Sequence, residues 1–148
     1  ELGPLIAQYR AAYRAAGHPG PGRVFLRVPV YLAETAAAAR DEPEASIMSF
    51  YRSLGGQLES SAAETGARAI EARATRGQRL QSVSYDEALR EKVIVGTPDL
   101  VNRRLEDVCA QLELDGILAE LNCGGQIPHT RVRRSLQLLC DEVALNFR

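Results

Sequence analysis

The residues of this chain that could do chemistry are concentrated near its C-terminal end, around a short glycine-containing segment. Asn122, Gly124 and Gly125 directly follow an apolar run at 116–121. Because glycine has no side chain to block an approaching molecule, a ligand can lie directly against the backbone here. The segment is therefore a candidate ligand-binding loop. The alternative is an ordinary glycine turn between a strand and a helix.

A cluster of basic side chains is the second candidate. It consists of His129, Arg131, Arg133 and Arg134, near the start of the last predicted helix. Free backbone N–H groups at a helix start favour an anion such as phosphate. Arginines are usually exposed, however, and we favour the interpretation that these form a solvated basic face. His129 has no nucleophile or carboxylate partner near it in sequence, so we assign no catalytic base.

The three cysteines, Cys109, Cys123 and Cys140, lack the paired spacing of zinc or redox motifs. Cys123 lies within the glycine segment, but a small buried thiol is commoner than a reactive one. We therefore predict no metal site. An odd number of widely spaced cysteines is typical of a reduced, cytoplasmic protein, and we expect that localisation.

The elements that must position these residues alternate between helices and strands. Two nearly continuous apolar runs, 23–33 and 116–121, are typical of strands buried on both faces, and apolar residues recur at helical spacing between and around them. Pro29 interrupts the first run, so we expect a bulge or an unpaired edge there. Alternating strands and helices predict βαβ units and a parallel sheet, and hence an α/β fold.

Several helix ends have local signals. Gly17 is expected to end the first helix, Thr35 to cap the second, and Pro43 to interrupt it. Thr97 followed by proline is typical of a helix start and is interpreted as structural. We expect the helix after Pro43 to end at Gly55 and Gly56.

The segment 57–92 differs from its surroundings. Its acidic and basic residues balance, and large apolar residues are few. A helix of this composition has little apolar surface to bury, so we predict a mobile insertion with a weak helix.

Length and composition exclude several classes of protein. The chain has 148 residues, of which 45% are hydrophobic and 25% charged, as in globular domains. Its formal net charge of -1 gives no general attraction to nucleic acid. The apolar runs are too short for a membrane helix, and residues 1–20 lack the pattern of a secretion signal. We therefore expect neither nucleic acid nor a membrane as a partner.

The two predicted strands are too few for a complete domain. Two parallel strands do not form a stable sheet covered on both faces, and a (β/α)8 barrel requires eight. We expect the remaining strands to come from a longer polypeptide, a partner chain or a second copy in a homo-oligomer.

Several short segments occur in an order that resembles one known family. They are 9–19 (YRAAYRAAGHP), 30–35 (VYLAET) with the alanine run that follows it, 93–98 (VIVGTP), 134–136 (RSL) and 142–143 (EV). Their order and spacing resemble the C-terminal part of bacterial-luciferase-like monooxygenases, which are flavin- or deazaflavin-dependent enzymes on a (β/α)8 TIM barrel. The similarity extends over essentially all of residues 1–148, which would be well under half of such a barrel.

The resemblance implies a place for each part of the chain. The two predicted strands would be the last two of the barrel, and 57–92 would be the family's insertion near the mouth of the active site. The implied cofactor is FMN or coenzyme F420, with a small organic substrate and a flavin reductase as electron donor. Asn122, Gly124 and Gly125 would bind the cofactor. The main phosphate ligands and catalytic side chains lie on earlier strands in the family, so the catalytic residues are unknown here.

Two functional hypotheses follow. The first is the C-terminal part of a flavin-dependent monooxygenase or oxidoreductase, with 57–92 as a lid and 122–126 near the flavin. The isolated chain would then be inactive. The second is a non-catalytic half-barrel that self-associates through its uncovered strand edges as a binding or structural module.

Overall fold

The structure, a computed structural model, describes residues 2–64 and 69–147. Its helices and strands are, in chain order, α1 (Leu2–Ala15), β1 (Phe25–Leu32), α2 (Ala36–Asp41), α3 (Glu44–Ala62), α4 (Ile70–Ser82), α5 (Tyr85–Glu91), β2 (Ile94–Gly96), α6 (Pro98–Leu112), β3 (Gly116–Glu120) and α7 (His129–Leu138). A π-helical turn (Leu139–Val143) and a 3-10 turn (Ala144–Phe147) follow α7. The predicted α/β architecture is confirmed. Within the described ranges, every helix is too short or too polar to cross a membrane.

The strands form one open parallel sheet with β1 in the middle. β3 pairs with the first part of β1, from Phe25 to Pro29, and β2 pairs with its last part, from Val30 to Leu32. The two strands predicted from the sequence, β1 and β3, are therefore neighbours. The sheet has a third strand, β2, because three residues between two helices can pair without showing a strand-like pattern in the sequence.

At Pro29 the structure shows an unpaired edge and no bulge, so the second of the two expected arrangements is confirmed. Pairing with β3 is continuous through Pro29, which lies opposite Glu120. On the other edge of β1, pairing with β2 begins only at Val30. None of the described strands needs a hydrogen-bond donor from Pro29 on that edge, so a residue without an N–H fits at this position.

Side chains of β1 alternate between two faces of the sheet, and each face has its own apolar cluster. The first cluster packs β1 and β2 against α6, α7 and the π-helical turn, and its buried members are Val28, Val30, Leu32, Ile94, Val101, Leu105, Leu138 and Val143. The second packs Tyr31 against α2, α3, α5 and the segment after β3, and includes Ile47, Tyr51, Ala88, Val95, Cys123 and Ile127. Both clusters therefore meet at the C-terminal half of β1.

Most local signals for helix ends are confirmed. Gly17 follows α1 with a φ of +76°, and the Thr35 hydroxyl accepts a hydrogen bond of 3.2 Å from the Ala38 N–H. Pro43 separates α2 from α3. Thr97 is the N-cap residue of α6, and proline occupies the first helical position.

Helix α3 does not end at Gly55 and Gly56 but continues to Ala62, because α4 packs directly against it there. A Cβ atom added to Gly55 would lie 2.7 Å from the Gly77 carbonyl oxygen, and one added to Gly77 would lie 2.8 Å from the Gly55 carbonyl oxygen. Glycine lets the two helix backbones approach each other at this crossing. Residues 65–68 lie outside the described residues, and the mobility of 57–92 stays a prediction.

The last part of 57–92 belongs to the core. Val83, Tyr85 and Ala88 are buried, and the Tyr85 hydroxyl donates to the Arg40 carbonyl oxygen. The Arg104 guanidinium donates to the Leu89 carbonyl oxygen at 2.9 Å. α4, in contrast, packs chiefly on α3. The helical hairpin of α3 and α4 is thus attached to the rest of the molecule through α3 and α5.

The glycine crossing gives a matched pair of substitutions. Gly55→Ala places a methyl group against α4 and is expected to lower the free energy of unfolding by about 1–3 kcal/mol. Gly56→Ala meets no atom within 4 Å and is expected to raise it by up to about 1 kcal/mol through helix propensity. Urea unfolding followed by circular dichroism measures both. Equal changes in the free energy of unfolding for the two substitutions would contradict the close approach of α3 and α4.

Candidate functional site

The carboxyl ends of the parallel strands meet at one end of the sheet, where α/β folds place ligands and catalytic groups. β1 leads into residues 33–35 and β3 leads into residues 121–128 at this end. The first turn of α3 and the second turn of α7 approach the same region through hydrogen bonds described below. The candidate site is therefore built by the segments after β1 and β3 and by these two helices.

Asn122 closes the segment that follows β3. Its Oδ1 accepts a hydrogen bond of 3.0 Å from the Ile127 N–H, and its Nδ2 donates to the Ile127 carbonyl oxygen at 3.3 Å. The side-chain amide thus pairs with one backbone residue in the manner of a strand neighbour. In this position Asn122 shapes the loop, and its amide already has partners within the chain.

The two glycines of the loop have different surroundings. Gly124 and Gly125 both have left-handed backbone conformations, with φ of +84° and +71°. A Cβ atom on Gly124 would lie 2.1 Å from the Ser46 carbonyl oxygen, whereas one on Gly125 would meet no atom within 4 Å. Gly124 is therefore required for packing against α3. Gly125 faces open space in which a ligand can lie against the backbone.

Ser46, in the first turn of α3, holds this loop in place. Its hydroxyl is buried, donates to the Cys123 carbonyl oxygen at 2.6 Å and accepts from the Gln126 N–H at 3.0 Å. The Gln126 side chain also donates to the Ser49 hydroxyl at 2.9 Å. Ser46 was not among the residues predicted from the sequence. Its signal was a serine beside Ile47 on the apolar stripe of a helix.

The Cys123 thiol is not activated. Burial, followed by the nearby Glu120 carboxylate, raises the pKa of Cys123 to about 11. The thiol is therefore protonated at neutral pH, and the reactive thiolate is scarce. Cys123 packs in the core beside Ile127, which agrees with its interpretation as a buried structural thiol.

The basic residues at the start of α7 are largely engaged in ion pairs. Arg131 lies 3.3 Å from the Glu42 carboxylate, and Arg134 pairs with Glu34. Glu42 also accepts a hydrogen bond of 2.5 Å from the Tyr31 hydroxyl. These groups line a cavity of about 180 Å³ between the end of β1 and α7. Because the charges are balanced, the arrangement favours a solvated basic face over a phosphate site.

Hydrogen bonding fixes the protonation of this cluster. The hydrogen bond from Arg134 holds the pKa of Glu34 below its ordinary value. Burial, followed by donation to Glu42, raises the pKa of Tyr31, so its hydroxyl remains a donor. His129 and Arg133 are exposed near these residues.

Ser135 attaches α7 to the strand end. Its hydroxyl is fully buried and accepts a hydrogen bond of 2.9 Å from the Leu32 N–H at the end of β1. This N–H would otherwise be an unpaired donor at the strand terminus, which is costly when buried. The 134–136 segment therefore has a structural role at the candidate site.

One charged pair lies on the face of the sheet that carries Tyr31. The Arg27 guanidinium is 2.8 Å from the Glu120 carboxylate, and Glu120 is the last residue of β3. Phe25 and Leu118, on the same face, are 47% and 57% exposed. The part of this face around Phe25 and Leu118 is thus not covered by a helix of the described residues. Arg27 and Glu120 were not predicted as site residues from the sequence, although each interrupts an apolar strand.

No group of three or more histidine, cysteine or acidic side chains with metal-binding geometry occurs among residues 2–64 and 69–147. Two features of these ranges remain candidates for contact with a ligand: the loop after β3, where Gly125 is open, and the Arg27–Glu120 pair on the uncovered part of the sheet.

Comparison with protein families identifies the chain. The model of one family, described as luciferase-like monooxygenase, matches residues 1–115. The chain belongs to the luciferase-like monooxygenase family. The predicted resemblance is confirmed, and no curated protein matches this luciferase-like chain.

Solved structures agree on the fold. The monooxygenase RslO1 from Streptomyces bottropensis has a TM-score of 0.62 and 24% identity, over 97% of this chain and 37% of that one. A riboflavin lyase, RcaE, solved with modified FMN and riboflavin, has a TM-score of 0.57 and 19% identity, over 99% of this chain and 36% of that one. The luciferase-like chain thus has the fold of a barrel portion and spans little more than a third of either protein.

The role of Ser46 is tested by Ser46→Ala. The substitution leaves the Cys123 carbonyl and the Gln126 N–H without their buried partner, so we expect a loss of about 1–3 kcal/mol in stability. Hydrogen exchange at the Gln126 amide should accelerate. Ser49→Ala, which removes only the contact with the Gln126 side chain, is the control. Unchanged Gln126 protection in Ser46→Ala would contradict this role.

Cysteine alkylation tests the state of the Cys123 thiol. At pH 8 we expect iodoacetamide to modify exposed Cys140 at least about tenfold faster than Cys123, since few Cys123 thiolates form. The stability that Cys123 contributes is present below the pKa of an unfolded thiol and is lost as pH rises toward about 11. Peptide mass spectrometry gives both rates. Equal rates in the folded protein would argue against a buried, protonated thiol.

Proposed function

We propose that the chain is the C-terminal portion of a flavin-dependent luciferase-like monooxygenase or related oxidoreductase. Its cofactor would be FMN or coenzyme F420, and its substrate a small organic molecule. The observation that carries the proposal is the family match over residues 1–115. Because the chain spans 37% of RslO1, the activity is proposed for a complete barrel that includes this portion.

The loop after β3 leaves room for a flat cofactor beside Gly125. Gly125 has open space beside it and lies at the strand ends where barrels place their chemistry. Gly124 packs on Ser46 and Asn122 braces the loop, so these two would act on the cofactor by shaping the backbone. The bound flavin supplies the redox chemistry, and the protein supplies position, electrostatics and exclusion of water.

Arg27 and Glu120 are the polar groups that this chain contributes to the uncovered face. Arg27 uses one terminal nitrogen for Glu120, and a guanidinium has further N–H donors for a carbonyl of the cofactor or substrate. Glu120 lies at the C-terminal end of its strand, two residues before Asn122. We propose that the pair orients the reacting molecule. Covering the face would exclude water and strengthen both interactions.

The helical hairpin of α3 and α4 would act as the lid assigned to 57–92. The first turn of α3 is fixed to the loop after β3 by the Ser46 hydrogen bond. α4, in contrast, packs chiefly on α3. Closure of such a segment would shield the flavin from water. Reduced flavin would be supplied by a separate reductase.

The open edge of the sheet favours a second candidate function, which is self-association. β3 has no neighbour on its outer side among the described strands, and Leu118 and Phe25 are exposed beside it. An unpaired edge with exposed apolar side chains promotes association. We propose that the isolated chain forms homo-oligomers through this edge.

Flavin turnover tests the main proposal. In a polypeptide that joins residues 1–148 to the N-terminal part of a luciferase-like barrel, we expect either oxygen consumption that depends on reduced FMN or hydride transfer between substrate and coenzyme F420. Because Glu120→Gln weakens the pair that orients the reacting molecule, it should reduce kcat by roughly 10–100-fold. Arg103→Gln, on the exposed side of α6, should leave kcat unchanged. Absence of turnover in a folded, flavin-loaded protein would overturn the proposal.

The isolated chain gives complementary measurements. We expect no stoichiometric flavin binding by residues 1–148, because the phosphate ligands lie elsewhere in the family. Sedimentation should show a concentration-dependent oligomer that Leu118→Glu disrupts by charging the exposed edge strand. A strictly monomeric chain would reject self-association.

The lid is tested in the joined, complete barrel. Deleting 57–82 with a short linker retains buried Val83 and Tyr85 and should lower turnover, because the flavin would be less shielded from water. Unchanged turnover would reject the lid.

A further inference from the structure

Glu42 is a partly buried carboxylate that joins three elements near the candidate site. It is the C-cap residue of α2, and its side chain is 24% exposed. Its Oε2 accepts the hydrogen bond from the Tyr31 hydroxyl near the end of β1. Its Oε1 lies 3.3 Å from Arg131 Nε in the first turn of α7. Both oxygens therefore have partners, and one side chain connects β1, α2 and α7.

The Tyr31 hydroxyl is a fixed reference point for this carboxylate. Tyr31 is 2% exposed and belongs to the apolar cluster on its face of the sheet. In a close-packed core the ring has little room to move. Burial, followed by donation to Glu42, raises the pKa of Tyr31, so its hydroxyl keeps the proton that it donates. Glu42 is thus held from the side of the core, and it in turn holds Arg131 by a charge-assisted contact.

A second ion pair of α7 lies nearby and is more open to water. Arg134 and Glu34 are 51% and 55% exposed. Exposed ion pairs are screened by water and contribute little to holding two elements together. This pair joins α7 to the segment after β1, as Glu42 joins α7 to β1 and α2, and it is therefore a matched control for Glu42.

The first turn of α7 is closely connected to the loop after β3. Only Ile127 and Pro128 separate the 122–126 segment from His129, the first residue of α7. Ile127 is buried, and the ring of Pro128 restricts its φ, which is -56°. Little backbone freedom remains between the loop and the helix. The direction of α7 and the path of the loop are therefore determined together.

We propose that Glu42 is a positioning residue for the loop after β3, because with Tyr31 it fixes the first turn of α7 and thereby the path of the backbone at Gly125. Asn122 fixes the start of the loop and Ser46 its middle, and Glu42 fixes its end through Arg131. The proposal rests on the proposed function, in which the cofactor lies beside Gly125. Glu42 itself contacts no ligand.

Amide NMR of residues 1–148 measures the loop directly. Glu42→Ala removes the acceptor of both partners, so we expect the Gly125 and Gln126 amide signals to shift and their hydrogen exchange to accelerate at least about threefold. Glu42→Gln keeps an acceptor for the Tyr31 hydroxyl and loses only the charge, so its effect should be smaller. Glu34→Gln should leave these amides unchanged. Circular dichroism verifies that each variant folds.

Flavin affinity of the joined, complete barrel separates positioning from stability. At a temperature where all variants are folded, we expect the dissociation constant for FMN or F420 to rise about three- to tenfold in Glu42→Ala and less in Glu42→Gln. Glu34→Gln should retain the wild-type affinity. A purely structural role of Glu42 would lower the unfolding temperature and leave the affinity unchanged.

Several results would overturn the proposal. Unchanged loop amides in Glu42→Ala would show that α7 does not determine the path of the loop. Equal shifts in Glu34→Gln would show a general effect of charge near α7. Shifted amides with unchanged flavin affinity would show a purely structural contact. If the amides respond as expected but the wild-type joined barrel binds no flavin, the proposed function fails and the connection between Glu42 and the loop stands.

Discussion

The structure depends on one constraint: β1 is the middle strand of a sheet that is paired on each edge over only part of its length. Apolar side chains from both helical layers therefore converge on its C-terminal half, where Val30, Tyr31 and Leu32 are almost fully buried. Two buried serines complete the arrangement, Ser135 by accepting from the Leu32 N–H and Ser46 by holding the loop after β3. The most deeply buried side chains of β1 and the loop after β3 consequently lie at the same end of the sheet, where the strands end.

Helix α3 connects this end to the surface. Its first turn binds the loop after β3, its middle forms the close crossing with α4, and its last turns continue into 57–92. The Ser46 carbonyl packs directly on Gly124. The hairpin and the loop after β3 are thus connected through a single helix, α3.

Local chemistry determined what could be predicted from the sequence. The strands around Val28 and Ile117, the Thr35 cap and the break at Pro43 depend on neighbouring residues and were predicted correctly. β2 and the continuation of α3 through Gly55 depend on surfaces distant in sequence, and the sequence analysis missed them. The sequence predicted the position of the loop after β3. The different surroundings of Gly124 and Gly125 depend on how α3 packs against the loop, and so does the contribution of Ser46. Neither could be predicted from neighbouring residues. The cofactor contact of these glycines stays a prediction.

The Arg27–Glu120 pair also affects assembly. It lies in a largely apolar face, with Phe25 and Leu118 exposed on the same face. A covering strand must desolvate two charges, which is unfavourable unless it offers polar groups in matching positions. A purely apolar strand or a mispaired copy would leave the charges poorly compensated. The pair would therefore disfavour any association that buries it without offering polar partners.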